Sequence, residues 1–239
     1  MCGRFVATTS PTALAEVFDA EPPDTVLASR YNVAPTTDVY GVVEGADRAR
    51  RIAVFRWGLV PSWARDASIG SRLINARGET LVEKPSFARS FTTRRLIVPM
   101  DGFYEWQPPA SPRGPKRPVF VHRRDGAPIA AAGLWAAWKD PAVSSDAAWL
   151  HSCTIITTAA NALMAPVHDR MPVVLERRDW DEWLDPANHD TASLVDLLVP
   201  AADEVLTRYE VGTAVNKVQH DDPSLISAIR GDDGMDGPR

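Results

Sequence analysis

Strand-length apolar runs recur along most of this 239-residue chain and limit the folds that it can adopt. The runs are rich in β-branched and aromatic residues, as is typical of strands. They are DVYGVV (38–43), IAVFRWGLV (52–60), RLIVPM (95–100), PVFVHRR (118–124), PIAAAGLWAAW (128–138), WLHSCTIITT (149–158), PVVLE (172–176) and VLTRYEV (205–211). Asp125-Gly126 follows the fourth run and predicts a hairpin turn at that point.

Helical patterns are fewer and shorter than the strand patterns. Ser10 and Pro11 supply an N-cap and a first-turn proline for a helix over ALAEVF. Helices are also predicted in ETLVEKPSFARS (79–90), RRDWDEWLD (177–185) and TASLVDLL (191–198). Because strands and helices do not alternate, we expect an α+β fold with a mainly antiparallel, curved or barrel-like β core flanked by short helices. No linker divides the chain, so one domain is predicted over 1–229, with a polar, Gly-rich flexible tail over 230–239.

The apolar content also bears on the compartment. The chain has no run of 18 apolar residues and no signal-peptide pattern at its start, so a cytoplasmic protein without membrane contact is expected. Two cysteines are too few for a disulfide framework. Cys153, inside an apolar run, is predicted to be a buried strand residue.

The charge of the chain is unevenly distributed. The formal net charge is -5, yet residues 71–124 hold eleven Lys or Arg against four Asp or Glu. Such a basic segment could bind nucleic acid, although an isolated charge run more often marks a solvated surface. Charge alone therefore leaves both interpretations open.

Cys2 is the first candidate for chemistry. Removal of Met1 would leave a free α-amine and a thiol on one residue, two nucleophiles that could close a thiazolidine ring on an aldehyde. A cysteine at position 2 of an arbitrary protein is usually incidental. The same terminus could instead attack an amide, as in N-terminal-nucleophile hydrolases.

Two further segments carry candidate residues. Glu105 lies among aromatic residues in DGFYEW, where poor hydration would suit a carboxyl group to proton transfer, although such a glutamate is often only a strand-end residue. His168, Asp169 and Arg170 stand together in a predicted loop. His168 could relay protons and Arg170 could bind a phosphate, but a loop of this kind is about as often a structural salt-bridge corner.

A series of motifs in order along the chain resembles the SRAP family, named for SOS-response-associated peptidases. The motifs are MCGRF, YNVAPT, RWGLVPSW, NARGET, RRLIVPMDGFYEW, AGLW, ITTAAN and VHDRMPV, with weaker agreement through AVNKVQHDDPSL. The resemblance covers nearly the whole chain. It implies covalent capture of abasic sites in single-stranded DNA through Cys2.

The resemblance also implies roles for individual residues. Cys2, Asn75, Glu105 and His168 would be catalytic: Asn75 would position the Cys2 amine and the sugar, Glu105 would assist imine formation, and His168 would help to open the deoxyribose ring. The matching DNA-binding residues are Arg4, Arg77 and Arg170 for phosphates and Trp63 and Trp106 for stacking on bases. Asn32, Pro35 and Thr36 would shape the floor of the pocket.

Some positions depart from the family pattern. Gly78 replaces a common alanine, Lys217 and His220 replace other polar residues and leave DNA contacts from their loop in doubt, and 108–118 is predicted to be a variable hairpin tip. The five His and two Cys lack the close spacing of zinc ligands, so no metal or cofactor is expected. The expected partners are single-stranded DNA with abasic sites and replication-fork proteins, and the protein is expected to be a monomer.

Three other functions remain to be weighed against DNA capture. A cysteine peptidase would use Cys2 as nucleophile with Glu105 and His168, and the cut that removes Met1 would be its smallest form. A glutamine amidotransferase would share MCG but should carry a glutamine-binding signature, and none is found. A non-covalent reader of single-stranded DNA would need the basic and aromatic residues but neither Cys2 nor Glu105.

Overall fold

A barrel of five strands forms the centre of the molecule in the computed structural model, which describes residues 2–109, 111, 114–143, 145 and 149–229. Met1, the tail predicted at 230–239 and three positions of the predicted tip at 108–118 lie outside the described residues. The strands are β1 (Arg4–Ala7), β2 (Ala20–Glu21), β3 (Arg30–Val33), β4 (Asp38–Glu44), β5 (Arg50–Trp57), β6 (Asn75–Arg77), β7 (Arg95–Met100), β8 (Gly102–Gln107), β9 (Arg117–Arg123), β10 (Ile129–Lys139), β11 (Trp149–Ala159), β12 (Arg170–Pro172) and β13 (Leu206–Glu210). The α-helices are α1 (Pro11–Phe18), α2 (Ala88–Thr93), α3 (Trp180–Leu184) and α4 (Thr191–Asp196).

The barrel follows the strand order β5, β4, β7, β10 and β11 through antiparallel pairs. A short parallel pairing of β11 with β5, Ser152 opposite Arg56 and Cys153 opposite Trp57, closes the ring. A second sheet has the order β13, β9, β8, β1 and β3, all antiparallel. The predicted α+β class and curved, mainly antiparallel core are therefore confirmed.

Two apolar clusters lie on opposite faces of the barrel strands. Neighbouring residues of β7 divide between them: Leu96 and Val98 belong to the cluster that joins the two sheets, and Ile97 to the cluster under the helices. Every residue of β7 is buried, and this explains why its sequence reads as a continuous apolar run. No helix in the described ranges is long and apolar enough to cross a membrane.

Helix α1 forms as its sequence predicts. The Ser10 hydroxyl oxygen accepts a hydrogen bond from the Ala13 amide at 3.2 Å, and Pro11 occupies the first helical position. Leu14 and Phe18 are its buried residues. Cys153 is a wholly buried residue of β11, as predicted.

Four details of the predicted elements were wrong. ETLVEKPSFARS is not one helix, because α2 begins only at Ala88, after Pro85, whose ring removes a backbone donor. The 52–60 run ends as a strand at Trp57, where Gly58 turns the chain at a φ of 122°. Of PVVLE only Pro172 belongs to a strand, β12, and Val174 makes an isolated bridge with Ala131. The turn at 125–126 exists, but its flanking strands β9 and β10 belong to different sheets and form no hairpin.

Candidate active site

Cys2 lies directly before β1, which is held between β3 and β8 in the second sheet. Its side chain is 0% exposed and packs in the apolar cluster that joins the two sheets. Phe5, Phe103, Met164 and Val167 belong to the same cluster. The position of Cys2 is thus set by the pairing of β1, which begins two residues later, with strands on both of its sides.

Asn75 contacts Cys2 directly. It begins β6, whose parallel pairing with β11 places it opposite Ile155. Its Nδ2 donates a hydrogen bond to the backbone oxygen of Cys2 at 2.8 Å. Its Oδ1 is buried and has no hydrogen-bond partner within the described part of the chain, so an acceptor remains available beside Cys2.

Glu105 is a charged group that acts on the Cys2 thiol. It shares one face of β8 with Phe103, which belongs to the same cluster as Cys2, and it is only 3% exposed. Burial raises the pKa of the Cys2 thiol far above its usual range, and the negative charge of Glu105 raises it further. The thiol therefore carries its proton at neutral pH. Cys2, Asn75 and Glu105 are thus brought together.

His168 lies in the loop that leads to β12, two residues before that strand begins. Met164 and Val167 of that loop belong to the same apolar cluster as Cys2. Its Nδ1 accepts a hydrogen bond from the backbone N–H of Arg170 at 3.0 Å and lies 2.8 Å from Asp169 Oδ1. The first contact suits a neutral ring with the proton on Nε2, and the second suits a protonated ring. The His168 imidazole therefore has a hydrogen-bonding partner both when it is neutral and when it is protonated.

The arginines predicted to bind phosphate differ in their surroundings. Arg77 is exposed and lies two residues after Asn75, on the same face of β6. The Nη1 of Arg4 donates to Asn32 Oδ1 at 2.8 Å and to the Val215 carbonyl at 3.0 Å. Arg170 pairs with the carboxylate of Glu79. Among the three, Arg77 is the most accessible to a DNA strand.

The two predicted stacking residues are also placed differently. The Trp106 Nε1 donates to Asn216 Oδ1 at 2.6 Å, in the segment that also receives Arg4. Trp63 is 57% exposed and belongs to a loop that packs elsewhere, where the Ala64 carbonyl accepts from Trp138 Nε1. In the described part of the chain, Trp63 shares no hydrogen bond or ring contact with the residues around Cys2. Arg4 and Trp106 thus both bond to the segment at 215–216, whereas Trp63 lies in a different part of the molecule.

Comparisons with known proteins identify the family. The family model described as SOS response associated peptidase (SRAP) matches residues 1–218, almost the whole described chain. The chain belongs to the SRAP family.

Relatives of this SRAP chain carry a consistent name. "Abasic site processing protein YoqW" from Bacillus subtilis is 38% identical over 230 residues, which cover 95% of this chain and 100% of that protein. "Abasic site processing protein HMCES" from Xenopus tropicalis is 32% identical over 210 residues, covering 77% of this chain and 59% of that protein. A crystal structure from Bacteroides thetaiotaomicron superposes with a TM-score of 0.81 at 25% identity and covers 96% of this chain and 100% of its own.

One enclosed cavity of the SRAP chain does not coincide with the residues around Cys2. A mainly apolar cavity of about 400 Å³ lies between α1, the 26–30 loop and strands β3 and β4. Cys2, Asn75, Glu105 and His168 are absent from its lining. The four residues remain the predicted site because their side chains can supply a nucleophile and move protons, whereas Asp101 and Tyr40 of the cavity already hold hydrogen bonds with Thr9 and Leu27.

Two residues of the site were not found from the sequence. Glu79 binds Arg170 across a separation of 91 residues, and Asn216 holds Trp106 from 110 residues away. Neither contact has a local sequence signal. Asn32, predicted to shape the pocket floor, is wholly buried and donates through its amide to the carbonyls of Val215, Lys217 and His220.

Proposed function

We propose that this protein captures the aldehyde of an abasic site in single-stranded DNA as a covalent thiazolidine on Cys2, once Met1 has been removed. The observation that carries the proposal is the hydrogen bond of Asn75 to a buried Cys2, whose thiol is also affected by the charge of Glu105, in a chain of the SRAP family. The names of the relatives given above support abasic-site processing as the wider function. The reaction is a DNA–protein crosslink that needs no cofactor.

The proposed reaction has two bond-forming steps. The Cys2 amine first adds to the aldehyde carbon, and loss of one water gives an imine. The thiol sulfur then adds to the imine carbon, and the thiol proton passes to the nitrogen to give the neutral ring. No oxidant or reductant is consumed. Hydrolysis of the ring by the reverse path would release the DNA.

The environment of the thiol favours this order of steps. In the chain with Met1, burial and the charge of Glu105 raise the pKa of the Cys2 thiol against the opposing positive charge of the N-terminus, so we expect the amine to be the first nucleophile. Imine formation places an electron-poor carbon beside the sulfur. The Glu105 carboxylate can then take the thiol proton at the moment of attack, which makes it a general base for ring closure.

The remaining residues prepare the sugar and hold the strand. The unpaired Oδ1 of Asn75 can accept a hydrogen bond from the Cys2 amine or from a sugar hydroxyl, and His168 can move a proton during ring opening of the deoxyribose. Exposed Arg77 and partly buried Arg4 would contact phosphates, and Trp106 and Trp63 would stack on bases. Arg170 could contact a phosphate only if Glu79 moved away.

A denaturing gel tests the proposal. Purified protein is mixed with a single-stranded oligonucleotide that contains one abasic site, beside Cys2→Ala and Glu105→Gln variants. We expect a shifted, denaturant-resistant band for the wild type and no shifted band for Cys2→Ala. For Glu105→Gln we expect the same shifted band to form more slowly. Intact mass should show loss of one methionine before reaction. The absence of a wild-type band on protein that lacks Met1 contradicts the proposal.

A cysteine peptidase is the second candidate, because the family description names peptidases. A thiol peptidase attacks with a thiolate, whereas the pKa of the Cys2 thiol is raised in this structure. The raised pKa therefore favours DNA capture over general proteolysis. Cleavage of an unrelated unfolded protein by the wild type, lost in Cys2→Ala, would support the peptidase instead.

A further inference from the structure

Two neighbouring barrel strands carry aromatic and basic side chains on one face, where β10 ends and β11 begins. In their antiparallel pairing, Lys139 lies opposite Trp149, and Ala137 lies opposite His151. Because alternate residues of a strand share a face, Trp135 lies on that face too, together with both of these pairs. Aromatic and basic side chains from two strands are thus brought together, although they are distant from one another in the sequence.

Cations and rings contact one another along this face. The guanidinium carbon of Arg94 lies 5.1 Å from the centre of the Trp135 ring, and the His151 ring lies 5.9 Å from that ring, edge to face. The Lys139 Nζ lies 5.8 Å from the centre of the Trp149 ring, and Trp149 is 50% exposed. The aromatic stripe consists of these five residues, Arg94, Trp135, His151, Trp149 and Lys139.

The chemistry of the aromatic stripe suits a single strand of nucleic acid. It contains two permanent cations, Arg94 and Lys139, and no carboxylate. Asp140, which follows the stripe in sequence, accepts a hydrogen bond from the Ala142 N–H at 2.9 Å. An exposed ring can stack on a base of any kind, and a cation beside it can neutralise a phosphate. Lysine is depleted in protein–protein interfaces, so these cations favour a nucleic-acid partner.

The aromatic stripe lies on the same side of the barrel strands as Cys2. Trp135 is partly buried against the apolar cluster that contains Cys2. Along β11, Trp149 comes six residues before Ile155, which pairs with Asn75. At about 3.3 Å per residue, this separation is about 20 Å along the strand. A single strand bound at Cys2 would therefore meet Trp149 only at some distance from its lesion.

The aromatic stripe is a different surface from that of Trp63. The loop of Trp63 packs on the other face of the same two strands, where the Trp138 Nε1 donates to the Ala64 carbonyl at 2.8 Å. Leu150 packs against the same cluster. Trp138 and Leu150 alternate along their strands with residues of the stripe, so they point to the opposite face. The stripe is therefore not part of the surface that carries Trp63.

We propose that the aromatic stripe binds the single strand at a distance from the abasic site, an inference that rests on the proposed function for its partner. Trp149 stacks on a base, and Lys139 and Arg94 contact the neighbouring phosphates. The stripe adds affinity for long strands and takes no part in bond formation at Cys2. Lesions flanked by a long single strand are then bound more tightly than lesions near a strand end.

The dependence of affinity on strand length tests the stripe. Two oligonucleotides carry roughly 3 or roughly 12 nucleotides on each side of a tetrahydrofuran analogue of the abasic sugar, which has no aldehyde and cannot crosslink. Fluorescence anisotropy gives the ratio of long-strand to short-strand affinity. We expect this ratio to fall roughly tenfold in Trp149→Ala and much less in Trp149→Phe, which keeps a ring for stacking. Lys139→Gln should lower the salt slope for the long strand by about 0.7.

Arg178→Gln is the matched control for the loss of charge. The Arg178 side chain is 84% exposed and lies outside the aromatic stripe, so the ratio and the salt slope should keep their wild-type values. An unchanged ratio in Trp149→Ala, or an unchanged salt slope in Lys139→Gln, overturns the proposal and favours a protein partner for this surface. A wild type with the expected ratio that forms no crosslink with abasic-site DNA contradicts the proposed function alone.

Discussion

Cys2 allows a test at the scale of one residue. Its buried thiol has a raised pKa, so iodoacetamide should alkylate it slowly at pH 7 and faster as the pH rises toward 10. Glu105→Gln removes a neighbouring negative charge and should speed the reaction at fixed pH, on the order of tenfold if the pKa falls by one unit. Peptide mass spectrometry gives the rate for each cysteine.

Cys153 is the internal control for that experiment. The pKa of its thiol is also raised, but burial is the cause and Glu105 has no part in it. Glu105→Gln should therefore leave the Cys153 rate unchanged. Equal acceleration of both cysteines would indicate loosened packing and contradict a charge effect at Cys2.

Asp101 is a second residue that allows a test at this scale. Its carboxylate accepts hydrogen bonds from the backbone N–H and the hydroxyl of both Thr8 and Thr9, at the point where β1 ends. Asp101→Asn would set an amide donor against these donors and should cost about 1–3 kcal/mol in the free energy of unfolding. Urea denaturation measures the change, and Asp24→Asn, at an exposed position, should leave it within about 0.5 kcal/mol.

Arg95 connects two helices at the scale of elements. Its buried guanidinium donates to the carbonyls of Phe91 and Thr92 in α2 and of Trp183 in α3. It also donates to the carbonyls of Asp185 and Asn188, which follow α3 in the chain. Burial lowers the pKa of Arg95 to about 10, yet it remains charged at neutral pH.

Replacing Arg95 should therefore loosen both helix ends. Arg95→Met removes every donor and leaves carbonyls unpaired, so we expect a loss of about 3 kcal/mol or more in the free energy of unfolding. Arg95→Lys should lose less because the charge and one donor group remain. Arg89→Lys, at an exposed position of α2, is the control and should change little.

The secondary-structure elements show which features could be predicted from the sequence and why the others could not. Long strands such as β10 and β11 are rich in apolar and β-branched residues, so the pattern predicted them well. Short strands such as β1 and β6 were missed because three or four residues carry no periodicity. The false hairpin at 125–126 has the right turn chemistry, but strand pairing is decided by packing far along the chain. For the same reason, Glu79 had no visible link to Arg170.

Closure of the barrel is a property of the whole molecule. Gly58 donates its N–H to the Cys153 carbonyl at 2.8 Å, beside the short β5–β11 pairing, and has a φ of 122°. A Cβ at Gly58 would lie 2.6 Å from the Gly70 carbonyl oxygen. Gly58 therefore meets both a conformational and a steric requirement.

Gly58→Ala should weaken the fold as a unit. We expect a loss of at least about 2 kcal/mol in the free energy of unfolding, with a single transition, because the closing strands belong to one core. Gly212→Ala is the control, since Gly212 has a φ of -64° and nothing lies within 4 Å of an added Cβ. A Gly58→Ala protein as stable as Gly212→Ala would show that closure contributes little.

The central place of β1 in its sheet limits the time during protein synthesis in which Met1 can be removed. Its partner β8 ends at Gln107, so the nascent chain must exceed 100 residues before β1 is enclosed on both sides. At about 5–20 residues per second, the ribosome needs on the order of 5–20 s to reach that point. During this interval an aminopeptidase at the tunnel exit can reach Met1, whereas afterwards the neighbouring Cys2 is buried. Under the proposed function, removal of Met1 is therefore expected to compete with folding of β1.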